Sequence, residues 1–135
     1  MQAPEPWQQL LREALGVLAL PPDEQVRVNG PGCVTCDLFE EFDHARIVAL
    51  ENAATALSEE QRRLLDTIDT VMHGMEESDD ECFNNGALQC PVWQKLRELA
   101  SDALHALGWE QTTINPFTEI RPGVWHRPPG DFFGK

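Results

Sequence analysis

Basic residues are scarce in this 135-residue chain: 10 Lys and Arg stand against 23 Asp and Glu, for a formal net charge of −13. Nucleic-acid backbones and anionic membranes are gripped by clustered Lys and Arg, so neither is an expected partner. Tyrosine is absent, which weakens the case for a broad recognition surface built from aromatics. No apolar run approaches the roughly 18 residues that span a bilayer. The first residues carry Glu5 and no Lys or Arg, unlike a basic secretory leader, so a cytoplasmic location is expected. A glycine-rich phosphate loop, a nucleophile elbow and an HExxH pair are all missing. On these grounds the chain is not expected to be an enzyme.

The acids that are present are unevenly placed. Residues Asp37 to Glu81 hold 14 of the 23, with only Arg46, Arg62 and Arg63 among them, so this third carries −11 of the −13. Charge on that scale opposes folding by self-repulsion, and its main uses are solubility and steering of oppositely charged partners. The apolar share of 41%, or about 48% with the 9 glycines, is nonetheless ordinary for a globular protein, which argues against a disordered acidic tail.

Hydrophobic spacing predicts an all-α fold, an antiparallel bundle of about four helices in a single domain over residues 1–135. An irregular segment, 110–135, is expected to pack on it. Trp7, Leu10, Leu11, Ala14, Leu15 and Leu18 make one helical stripe that Pro21-Pro22 ends. A second helix is expected from about Glu40 to Leu57, striped by Ile47, Leu50, Ala54 and Leu57, with Phe42, Ala45 and Ala49 beside them. Ser58 and Gln61 form a capping-box pattern for a third, lined by Leu64, Leu65, Ile68, Val71, Met72 and Met75. Pro91 opens a fourth, with Trp93, Leu96, Ala100, Ala103, Leu104 and Leu107 on one side and Gly108 as its stop. Val26 and Val28 alternate around Arg27, so short strands are allowed in 25–36, and around an Arg121-Pro122-Gly123-Val124 tip in 118–127. Residues 76–90 read as an acidic surface loop.

Three chemistries compete for the polar residues. Cys33-x-x-Cys36 has the spacing of half a zinc site, which Cys82 and Cys90 complete poorly because seven residues separate them. His44 or His73 are substitute ligands in such a zinc-binding adaptor, and no other cofactor is implied. A thiol redox role for the same pair is opposed by Asp37, Glu40, Glu41 and Asp43, whose charge disfavours a thiolate. Glu40, Asp43 and His44 fall within one helical turn, yet a solvated acidic face near a helix start explains them as simply.

The remaining reading is a binding surface. Asp37, Glu40, Glu41 and Asp43 precede or open the second helix, and Glu76, Glu77, Asp79, Asp80 and Glu81 follow the third. Antiparallel pairing of these helices brings both clusters to one end. The expected function is therefore an acidic inhibitor that docks on a basic protein partner, such as a toxin or nuclease. In size and charge it resembles bacterial immunity proteins in general type. A DNA-mimicking anti-defence protein is the other alternative, and it requires carboxylates spread along an elongated face.

Overall fold

The computed structural model describes residues 5–29, 32–53, 55–77, 88–110 and 112–128. Among them five helices and one two-stranded hairpin form: α1 (Pro6–Leu18), α2 (Pro22–Asn29), α3 (Val34–Ala53), α4 (Glu59–Glu77), α5 (Pro91–Leu107), β1 (Thr118–Arg121) and β2 (Val124–His126). The expected bundle is present, with α1 packed most extensively on α3, and α5 on α4 and α1.

Helix boundaries follow local chemistry where that chemistry is strong. The Ser58 hydroxyl accepts the Gln61 amide (3.1 Å) while the Gln61 side chain accepts the Ser58 amide (2.8 Å), so two otherwise orphaned N–H groups are satisfied at the α4 start. Gly108 ends α5 at φ 76°, a left-handed conformation that glycine adopts without steric cost. The chain then folds back, with the Trp109 amide bonded to the Leu104 carbonyl at 2.8 Å. Trp109 packs on Trp7 (6.4 Å between rings) beneath the Arg12 guanidinium.

Two expectations change. Residues 22–29 form a helix and not a strand: Pro22 opens it, Asp23 and Glu24 favour its positive end, and Arg27 pairs with Glu24 at 2.7 Å. Its Gln25 side chain donates to the Val17 and Leu18 carbonyls, at 3.2 and 2.9 Å, and thereby caps the end of α1. Helix α3 starts at Val34, six residues earlier than predicted, and its buried face is Leu38, Phe42, Ala45, Ala49 and Ala53. Ile47, placed on the inner stripe by the sequence, is 44% exposed. The alanines decide this orientation, because small side chains let α3 approach α1 closely along its length. Ala49 is fully buried there, so Ala49→Leu is expected to lower stability by about 1–3 kcal/mol through overpacking, read as a fall in thermal midpoint.

The segment after α5 runs back over the bundle. Ile114 crosses α1 at Gly16, where a Cβ would stand 2.7 Å from Ile114 Cδ1. The Phe117 amide then bonds the Val28 carbonyl at the end of α2 (3.1 Å), and the β1–β2 hairpin follows, turning at Pro122-Gly123 with Gly123 at φ 79°. The hairpin is exposed along both strands. Arg127, immediately after β2, ties its far end to α3 and α1.

Candidate functional site

Helix α3 presents the acids of interest along its first three turns. Cys33 precedes the helix, and its Sγ accepts the Cys36 amide at 3.2 Å while the two sulfurs are joined as a disulfide. Asp37 lies in the first turn, where the helix dipole favours a carboxylate. One turn on, Glu40 is exposed and Glu41 half-buried, and Asp43 faces α4.

The two helices are antiparallel, as expected. Phe39 stands edge-on to the His73 ring at 5.0 Å, and Arg46 reaches Asp66 (2.8 Å) and Asp69 (3.6 Å) on α4. The start of α3 and the end of α4 therefore share one end of the bundle. Glu76 and Glu77 close α4, but their side chains, and the whole of Asp79, Asp80 and Glu81, lie outside the described residues.

Glu41 has a partner that the sequence did not reveal. Arg127 Nη1 donates to Glu41 Oε2 at 2.7 Å and lies 3.9 Å from Glu13 Oε1 on α1. The Arg127 side chain is 4% exposed, and its guanidinium lies 4.3 Å over the Phe117 ring. Asp37 and Glu40, by contrast, form no ion pair among the described residues. Between α3 and the hairpin these groups line a cleft of about 600 Å³, with Asn29, Asp37, Glu40, Glu41 and His44 on the helical side and Phe117 and Trp125 opposite. A larger depression of about 870 Å³ on the outside of α4 mixes Arg62 and Arg63 with Glu59, Glu60 and Asp66, so opposite charges offset one another there.

Burial raises the Glu41 carboxyl pKa despite the opposing charge and hydrogen bond of Arg127, and Asp37 adds to the rise. Glu13 is raised by burial against the pull of Arg127, and Asp37 by burial and by the charge of Glu40, again against the pull of Arg127. Such carboxyls hold a proton more tightly in the folded chain than in the unfolded one. The folded state then binds more protons between the unfolded and folded pKa values, so stability rises as pH falls through that window. Glu24, held low by its hydrogen bond from Arg27, acts oppositely but stands at the surface, where solvent weakens the effect. The thermal midpoint is therefore expected to rise as acidification enters the range just above the ordinary carboxylate pKa, the more so because self-repulsion also declines. A steady fall over that range contradicts the assignment.

Two other clusters bear on metal binding. Asp43, Asp69 and His73 place three donor atoms within 4.8 Å of one another, with His73 Nε2 at 3.4 Å from Asp43 and 3.2 Å from Asp69. They are near enough to share a cation, but Arg46 already supplies positive charge at Asp69. This set replaces the Glu40–Asp43–His44 grouping, since His44 points outward to solvent and Asp43 turns to α4. The zinc set is not present as thiolates. Cys33 and Cys36 are bonded to each other, Cys90 is also disulfide-bonded, and Cys82 lies outside the described residues. A sulfur in a disulfide cannot serve as a zinc thiolate, so that site would first need reduction. No helix among the described residues is long and apolar enough to cross a membrane.

Comparison with protein-family models, with curated proteins and with solved structures returns no match.

Proposed function

We propose that this chain is an acidic binding protein that inhibits a basic protein by docking on it, in the manner of an immunity protein that neutralises a toxin or nuclease. The observation that carries the reading is the state of Asp37 and Glu40. Both line a cleft at the start of α3 and form no ion pair among the described residues, with Arg127 acting on Asp37 only through its charge at longer range. Carboxylates held this way are available to a cationic visitor, and the −13 field around them speeds its arrival. Glu41 contributes less, because Arg127 already meets it. Binding, with no chemical step, is the proposed activity, and neither nucleic acid nor membrane is a proposed partner.

The described surface favours this over a DNA mimic. Arg62 and Arg63 interrupt the acids of α4, whereas imitation of a phosphate backbone needs an unbroken row of negative charge. A cytoplasmic location goes with the proposal. In that compartment the Cys33–Cys36 bond would be reduced, and the docking surface does not depend on it. The test is affinity capture at low salt from cells of the source organism, followed by salt elution and identification. A specifically eluted basic protein whose activity the chain suppresses supports the reading. A tightest partner that is neutral or acidic refutes it.

A further inference from the structure

We propose that the cleft between α3 and the C-terminal hairpin receives an arginine side chain projected by the protein partner. The inference rests on the docking function above and assigns the partner group that the docking face recognises.

Hydrogen-bond chemistry is the first argument. Asn29 lines the cleft and is 4% exposed. Its Nδ2 donates to the Gln25 carbonyl at 2.9 Å, which fixes the orientation of the amide, and its Oδ1 then has no hydrogen-bond partner among the described residues. A buried acceptor without a donor costs free energy that any incoming N–H recovers. Asn29 therefore calls for a donor, while the buried Nε and Nη2 of Arg127, next to Glu41, are donors that also lack a partner among the described residues. A carboxylate ligand leaves Asn29 unsatisfied and meets Asp37 and Glu40 with like charge.

Charge and shape narrow the donor further. Asp37, Glu40 and Glu41 contribute three negative charges, and Arg127 returns one, so the cleft holds a net excess of two carboxylates. Its opposite wall is aromatic: Phe117 and Trp125, the latter 43% exposed. A planar cation that stacks on a ring and donates several hydrogen bonds in a fork matches this combination, whereas an ammonium group is a compact point charge. The molecule already uses the same pairing internally, where Arg127 lies over Phe117 and donates to Glu41.

The experiment titrates the full-length protein at low salt with three blocked tripeptides, Gly-Arg-Gly, Gly-Lys-Gly and Gly-citrulline-Gly. The readouts are the NMR signals of the Asn29 side-chain amide and the Trp125 indole. The arginine peptide is expected to shift both signals and to bind about tenfold or more tightly than the citrulline peptide, its neutral isostere. Asp37→Asn with Glu40→Gln should remove most of that preference without changing the helical spectrum. Asn29→Ala should weaken the arginine peptide alone. Equal binding of the arginine and citrulline peptides overturns the proposal. So do shifts that spread along α3 while Asn29 and Trp125 stay still, or a lysine peptide that binds as well as arginine. These last two outcomes leave electrostatic docking intact. Failure of docking itself is read separately, from affinity capture in which the tightest partner is neutral or acidic.

Discussion

Arg127→Ala is expected to cost about 3 kcal/mol of stability, or roughly 10 °C in thermal midpoint for a chain of this size. The guanidinium is buried between Glu41 on α3, Glu13 on α1 and the Phe117 ring. Removing it leaves the half-buried Glu41 with a carboxylate already disfavoured by burial and no cation to offset that. The hairpin also loses its anchor, since both strands are exposed along their length. The emission of Trp125 should move toward that of free indole in water. The pair as a whole need not be strongly stabilising, because two charges withdrawn from water recover that penalty only with good geometry. Arg127→Met with Glu41→Gln is accordingly expected to cost less than the two single changes combined. The difference, measured as a double-mutant cycle, is the coupling energy. Additive losses contradict the assigned ion pair.

Reversing charge at the face of the cleft should have the larger functional effect. Asp37→Lys with Glu40→Lys changes the local charge by four units at positions that make no ion pair among the described residues, so the bundle should still fold. Association with the basic partner is expected to slow by about 100-fold at low ionic strength, since electrostatic steering accounts for rate factors of this order. Dissociation should change less unless the arginine pocket is also lost. The matched control is Glu98→Lys with Asp102→Lys on α5, which makes the same change in net charge outside the cleft. If the control slows association equally, bulk charge and not the α3 face governs capture.

How much of this was legible in the residues alone depends on the range of the interaction. Capping at Ser58–Gln61, the stop at Gly108 and the stripes of α1, α4 and α5 are set within a few positions and are readable, except that Leu10, expected on the α1 stripe, is exposed. Helix α2 was misread because eight residues hold too few apolar positions to separate a helical period from the alternation of Val26 and Val28. The rotation of α3, which exposes Ile47 and buries Ala45, Ala49 and Ala53, follows from how closely α1 can approach. Periodicity ranks isoleucine above alanine and so points the wrong way. For the candidate site, the α3 carboxylates were picked out by charge density. Their division into free and paired groups was not, because Arg127 meets Glu41 across 86 residues of sequence. Asn29, Phe117 and Trp125 joined the cleft only once the tail returned to α2, a contact made by one backbone hydrogen bond from Phe117 to Val28. No local pattern signals such a contact.

The most direct measurement is the association rate constant between this chain and its captured partner across a range of ionic strengths. The docking account predicts a steep decline as salt rises, with the dissociation rate nearly constant, and a much flatter line for the Asp37→Lys, Glu40→Lys variant. A rate indifferent to salt in the native chain, or equally steep lines for the two proteins, would show that the carboxylates of α3 do not guide the encounter.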